Sequence, residues 1–161
     1  CGNLARFTSK LADVVRIPEP VRADLSLNEL VRSVDALTRI ECRKRNISLS
    51  LSLADPDTII RADGIQLEQV LVNIVKNAYE AIGHDGRIRI VTTADPPSVT
   101  VEDNGPGIPE EIRKQLFTPF FTTKPSGQGI GLMFVREVLN NHRMAFSLTS
   151  QNGCTRFEIS V

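Results

Sequence analysis

Net charge is missing from this sequence: nineteen Lys and Arg residues stand against nineteen Asp and Glu. Neither a basic face for a nucleic-acid backbone nor an acidic solubilising tail is signalled, so any anionic ligand has to be held by local geometry. Cysteine is scarce and odd in number. Cys1, Cys42 and Cys154 lack CxxC spacing, which argues against a disulfide framework or a zinc site and fits a reducing compartment. No apolar run approaches the roughly 18 residues of a membrane span, and no signal-peptide pattern is present, so no membrane contact is expected of this segment. Internal repeats and low-complexity tracts are absent as well. The first residue is not Met, and the chain reads as a piece of a longer protein. What is present is 161 residues at 41 % apolar composition, enough for one compact domain and too short for two at roughly 150 residues each.

Leu4, Phe7, Leu11 and Val14 follow the spacing of a helix packed along one seam, and Pro18 and Pro20 end it. This segment is either the tail of a bundle helix that begins upstream or a helix docked on the domain. Leu25 and Leu27 alternate with polar residues as a short strand would. Leu30, Val31, Val34, Leu37 and Ile40 then recur at helical spacing, and Ile47 to Leu53 alternate again. Past an Asp55-Pro56-Asp57 turn, Ile59 and Ile60 read as a strand, and Asp63 is placed to cap a helix running from Gly64 to Ile82. Arg87 to Thr93 and Ser98 to Glu102 form an expected antiparallel pair. Short helical patterns follow at Pro109 to Leu116 and Ile130 to Asn141, separated by a loop. Met144 to Thr149 and Thr155 to Val161 close the chain as a hairpin around Gln151-Asn152-Gly153. Several strand pairs are joined by loops too short for a parallel crossover. The expected class is therefore α+β: a two-layer sandwich whose mixed, mostly antiparallel sheet is covered on one face by helices.

Four segments carry candidate chemistry. The Gly64 to Ile82 helix is apolar almost all round, yet Gln66, Asn73, Asn77 and Glu80 fall along one edge of it. Buried amides need partners: neighbouring loop backbone is one answer, and for Asn77 a hard cation arriving with phosphates is the other. Next, Asp103-Asn104-Gly105-Pro106-Gly107-Ile108 follows an alternating strand. It is either a solvated turn or a carboxylate at the mouth of a pocket, where Asp103 would accept from an exocyclic amine such as that of adenine. Phe117, Phe120, Phe121 and Lys124 cluster in a glycine-flanked loop. The phenylalanines there are core plugs or part of a cover over a ligand, and Lys124 is a solvated lysine or the cation for a terminal phosphate. Finally, Gly127-Gln128-Gly129-Ile130-Gly131-Leu132 opens a helix, where free N–H groups make a phosphate site. No Gly-Lys-Ser/Thr follows, and no strand precedes it, so neither the Walker loop nor the dinucleotide fingerprint applies.

The order of these segments resembles the asparagine, first glycine, phenylalanine and second glycine boxes of the ATP-binding catalytic domain of sensor histidine kinases, in the superfamily that includes gyrase-type topoisomerases. The resemblance covers about Asp24 to Val161, and Pro119 to Lys124 followed by Gly127 to Gly131 looks most like the nitrogen-regulation type. It implies the Bergerat-type ATP-binding fold over residues 21–161, with residues 1–20 as the end of a dimerisation helix and a linker. It also implies ATP and Mg²⁺. Asn77 would ligate the metal, with Asn73 one turn earlier on the same edge. Asp103 would bond the adenine amino group, Gly105 and Gly107 would shape the pocket, and Ile108 would pack on the base. Phe120, Phe121 and Lys124 would belong to a lid, with Lys124 serving the transferred phosphoryl group. Amides around Gly127, Gly129, Ile130, Gly131 and Leu132 would cradle the phosphates. The implied partners are an upstream dimerisation and histidine-phosphotransfer domain of the same protein, a response regulator, and a second copy in a full-length homodimer. Nucleic acid is not among them, and the implied location is cytoplasmic, on its own or as part of a membrane-anchored sensor.

Two departures accompany the resemblance. Asn73 stands where the hydrolysing members of the superfamily carry a glutamate general base, so transfer to a protein histidine is expected over hydrolysis. His84 and His142 lack the context of a phosphoacceptor and are expected at the surface, which puts the acceptor upstream of Cys1. His142-Arg143-Met144 replaces a His-Gly-Gly helix exit, so a reshaped exit is expected. A nucleotide-insensitive pseudokinase module that controls a partner is the alternative function.

Overall fold

A computed structural model describes residues 17–115 and 131–161. In chain order the elements are β1 (Ala23–Ser26), α1 (Leu27–Lys44), β2 (Ile47–Ser52), β3 (Ile59–Ala62), α2 (Gly64–Ile82), β4 (Gly86–Ala94), β5 (Pro97–Asp103), α3 (Glu110–Arg113), α4 (Gly131–Asn141), β6 (Ala145–Gln151) and β7 (Cys154–Ser160). Five strands form a sheet in the order β2-β4-β5-β7-β6, with β2 parallel to β4 and every other pairing antiparallel. The expected α+β class and its mostly antiparallel sheet are therefore present. The two short strands β1 and β3 stay outside that sheet and pair only with each other.

Alternation along the strands sends Ile88, Ile90, Val99, Val101, Phe157 and Ile159 to one face, where they are buried against Leu67, Val70, Leu71, Ile74 and Val75 of α2. α1 packs on α2, and α2 on α4. The opposite face carries Arg89, Glu102 and Arg156 in one cross-strand row, in which Arg156 Nη2 lies 2.6 Å from Glu102 Oε1. Cys42 is buried and Cys154 exposed, both as free thiols; burial, then the Glu41 charge, pushes the Cys42 thiol up.

Leu27 departs from the expected alternation with Leu25: it begins α1 and is fully buried. Ser26 is the reason, because its hydroxyl accepts from Glu29 N–H as a helix cap while donating to Asp57. Leu37 and Ile40 recur at helical spacing in α1 as expected, and both lie on its outer side, 60 % and 66 % exposed. Thr38 and Cys42 take the inward positions instead, with Thr38 Oγ1 donating back to the Val34 carbonyl at 2.8 Å.

The α4 exit corrects two expectations at once. His142 is not a surface residue; it is 7 % exposed. Its Nε2 accepts from Asp63 N–H at 3.0 Å, and Nδ1 lies 2.9 Å from the Val138 carbonyl, so the neutral ring protonated on Nδ1 satisfies both contacts. The exit itself is not reshaped. Met144 N–H reaches the Leu139 carbonyl and Arg143 N–H that of Asn140, the paired bonds of a Schellman ending, with Arg143 at φ +58° in the position glycine usually holds. A left-handed non-glycine residue costs about 1–2 kcal/mol, partly offset by the chain entropy it spares. Arg143→Gly is therefore expected to stabilise the domain by about 0.5–1 kcal/mol, measured as a higher midpoint in urea denaturation at unchanged slope.

Candidate functional site

α2 is the floor of the site. Asp63 caps its start, with Oδ1 accepting from Ile65 N–H and Gln66 N–H, while Oδ2 holds Val21 N–H of the incoming strap. Burial, the largest single influence on this carboxyl, pushes it up, but the three backbone donors from Val21, Gln66 and Ile65 hold it below its ordinary value. At the far end Gly83 turns the chain at φ +80°, and the Arg45 guanidinium lies over the Tyr79 ring at 4.8 Å and reaches the Tyr79 and Gly83 carbonyls at 3.5 and 3.4 Å.

The polar edge of α2 separates along its length. Gln66 is buried and donates to the Pro18 carbonyl, the loop-backbone partner that a buried amide needs. Asn73 lines an open groove with Leu37, Glu68, Gln69, Val72 and Phe134. Asn77 lines a different cleft, where Ile74, Ala78 and Ala81 complete the floor. Small side chains on the last two turns make room there for a flat group.

One wall of the cleft is Val101 and Asp103 of β5, followed by Gly107 and Ile108 of the turn. Leu132 of α4 lies opposite, and Leu148, Thr155 and Phe157 of the last hairpin close the back. The cleft has a cavity volume of about 70 Å³ and is partly open to solvent. Its lining is mostly apolar with a few polar atoms, and Asp103 is its only carboxylate among the described residues. Burial raises the Asp103 carboxyl above its ordinary value, against the bond that Gly105 N–H donates to Oδ1 at 2.9 Å. That bond leaves Oδ2 for a ligand.

Both glycines of the turn are required by space. A Cβ on Gly105 would stand 2.9 Å from Asp103 Oδ1, and one on Gly107, at φ +86°, would stand 2.8 Å from Ser150 Oγ. Asn104, just before Gly105, accepts from Arg87 N–H through its side chain and donates its own N–H to the Arg87 carbonyl, which ties the turn to the start of β4.

The structure thus brings together Asn77, Asp103, Gly107, Ile108 and Leu132, with Gly105 behind Asp103, and leaves Asn73 in the neighbouring groove. Gly131 opens α4 beside Leu132. Phe120, Phe121, Lys124, Gly127, Gly129 and Ile130 lie outside the described residues. Thr155, Ser150 and Leu148 were not picked out from sequence. Strand parity was the available signal: Phe157 and Ile159 face the core, so Thr155 does too, and β7 pairing places it beside Asp103.

A mixed sheet under helices, with a cleft between its last strands and the central helix, is the architecture of an ATPase-type domain. Residues 62–161 match the family described as histidine kinase-, DNA gyrase B-, and HSP90-like ATPase, and the chain belongs to that family. It is 34 % identical to Sporulation kinase A of Bacillus subtilis, a match covering 99 % of this chain and 27 % of that protein. The nucleotide-free catalytic domain of the histidine kinase ThkA superposes with a TM-score of 0.78 at 35 % identity, over 86 % of this chain and 93 % of that one. ThkA in complex with the response regulator protein TrrA superposes with a TM-score of 0.79 at 28 % identity, over 98 % of this chain and 46 % of the other. The chain spans about a quarter of the length of the curated kinase it matches.

Proposed function

We propose that residues 21–161 bind Mg-ATP and serve as the catalytic domain of a sensor histidine kinase, with residues 1–20 as the end of a dimerisation helix and its linker. The γ-phosphoryl group would pass from ATP to a histidine nitrogen on an upstream domain of the same protein: the P–O bond to ADP breaks, an N–P bond forms and the imidazole releases a proton. Relay to a response-regulator aspartate would follow, within a full-length homodimer. The observation that carries this reading is the convergence of Asn77, Asp103 and the Gly105–Ile108 turn on one cleft, in a chain of this ATPase family. The ThkA–TrrA complex supports the response-regulator partner, and the kinase relatives support the reaction.

Each residue has a role in this reading. Asp103 accepts from the adenine amino group, Ile108 packs on the base, and Asn77 offers a neutral oxygen donor at the floor. A neutral amide suits a Mg²⁺ ion that arrives with phosphates and keeps most of its shell from them. When bound, that ion would offset the phosphate charge. Lys124, Phe120 and Phe121 are assigned to the lid, and the amides around Gly127, Gly129, Ile130, Gly131 and Leu132 to the phosphates. Transfer of this kind depends on positioning and charge neutralisation, and Asn73 supplies no base for water. Among the described residues no helix is long and apolar enough to cross a membrane.

Calorimetric titration with a non-hydrolysable ATP analogue, with and without Mg²⁺, tests the reading. Saturable binding that Mg²⁺ strengthens is expected. In Asn77→Ala the affinity in Mg²⁺ should fall by about tenfold or more, while the Mg²⁺-free affinity moves little. No binding by the folded domain would favour a module that controls a partner without nucleotide.

A further inference from the structure

α2 and α4 pack side by side and run in opposite directions. At one end Asp63, the cap of α2, donates its N–H to His142 just past α4. Midway, Val72 and Asn73 share a groove with Phe134, and at the other end Asn77 and Ala78 line the cleft with Leu132. The two helices that form the cleft are therefore tied together at their far ends, roughly 20 Å away at about 1.5 Å per residue.

Residues 17–22 lie across those far ends. The Pro18 carbonyl accepts from Gln66 Nε2 at 2.9 Å, Val21 N–H donates to Asp63 Oδ2 at 3.0 Å, and Arg22 Nη2 donates to the Asn141 carbonyl at 2.9 Å, so the strap holds both helices. Gln66 makes its seat exacting. That side chain is buried and its Oε1 has no partner among the described residues, so losing Pro18 would leave a buried amide with no bond at either end. Pro18 and Pro20 fix their own φ and bias Ile17 and Glu19 toward extended backbone. A strap of this composition is stiff, and it passes a displacement on rather than absorbing it.

We propose that this strap is a conformational clip through which the chain upstream of Ile17 sets the nucleotide affinity of the cleft. Seated, it holds the far ends of α2 and α4 together and keeps Asn77 and Leu132 at the spacing the ligand requires. Lifted, it frees the two helices to shift, and the cleft loosens. Coupling of this kind is reciprocal, so nucleotide in the cleft tightens the seat by the same factor by which the seat tightens nucleotide. The inference rests on the nucleotide reading above.

The test is calorimetric titration of the whole chain with Mg-ADP in wild type, in Val21→Pro, which removes the donor to Asp63, and in Gln66→Leu, which removes the bond to Pro18 together with the orphaned oxygen. Each variant is expected to lose about fivefold or more in affinity. Gln66→Leu should do so at an undiminished melting temperature, because an apolar side chain suits the buried position. Ile90→Val, a core truncation on β4 that touches neither strap nor cleft, should lower stability and move affinity by less than about twofold. In wild type, exchange of the Val21 amide proton should slow on saturation with Mg-ADP by a factor comparable to the affinity lost in the strap variants. Normal affinity in both strap variants, affinity losses that merely follow stability across all three, or a Val21 amide indifferent to Mg-ADP would each overturn the proposal while leaving nucleotide binding in place. A folded wild-type chain that ignores Mg-ADP would overturn the nucleotide reading itself.

Discussion

Asp103→Asn is expected to weaken adenine-nucleotide binding by about 2–3 kcal/mol, roughly 30- to 150-fold, without lowering the stability of the free domain. The substitution keeps shape and removes charge. Gly105 N–H needs an acceptor at the position of Oδ1, so the new amide turns its oxygen there and presents NH₂ to the ligand, a donor facing the donor of the base. Stability moves the other way. The Asp103 carboxyl is raised in the folded chain by burial, so the charged form is the one that folding disfavours. Its contribution to stability is most favourable below the ordinary value near 4 and is lost as pH rises through the raised folded value. At neutral pH the domain therefore carries a buried charge that the asparagine variant lacks, and the variant should melt at the same temperature or higher. Calorimetry gives the affinity and thermal denaturation the stability. A variant that loses both together would assign Asp103 to the scaffold. In wild type the affinity itself should decline as pH falls through the raised value, and in Asp103→Asn that decline should be absent.

Asp63→Ala is expected to be the most damaging single change outside the apolar core. It removes a helix cap, at about 0.5–2 kcal/mol, together with a charge-assisted bond to Val21 N–H, for a combined loss of about 2–3 kcal/mol. For a domain of this size that corresponds to a fall in melting temperature of roughly 5–12 °C. The pH sign is opposite to that of Asp103. The Asp63 carboxyl is held low, so its stabilisation is complete above the ordinary carboxylate value and disappears as pH falls through the depressed folded value. Acid titration should accordingly cost the wild-type domain its nucleotide affinity first and its fold second. Asp63→Asn keeps an oxygen for the cap and should lose less at neutral pH, while its acid limb flattens. An Asp63→Ala variant that melts with wild type would show that the strap and the cap are satisfied by other groups.

What could be read in advance divides by the range of the forces. The bounds of α2 were legible because both punctuating groups are local: Asp63 caps within three residues and Gly83 turns at once. The last hairpin was legible for the same reason, with Asn152 and Gly153 both at positive φ as a two-residue turn requires. Leu27 was misplaced although the cap that starts α1 is local, Ser26 accepting from Glu29 N–H, because the apolar alternation of Leu25 and Leu27 runs across it. His142 was misplaced because its partner is the Asp63 amide, 79 positions away. Within the site, the residues announced by composition, Asn77 on an apolar helix and Asp103 before two glycines, arrived in the cleft. Ser150 and Thr155 look like any strand hydroxyls until pairing puts them beside Asp103. Asn73 shares an edge with Asn77 in projection but sits a turn away along the axis, enough to face a different groove.

The clamping of α2 at both ends has a consequence for the thermodynamics of binding. With Asp63 fixed at its start and Arg45 at its final carbonyls, the helix bearing Asn77 is already in place before any ligand arrives. A preorganised floor contributes its contacts without surrendering freedom on occupation. The turn over residues 104–108 is held in the same way, by the paired Asn104–Arg87 bonds and by the bond that Ile108 N–H donates to Ser150 Oγ, so a change that releases either clamp should lower affinity by raising the ordering cost of binding.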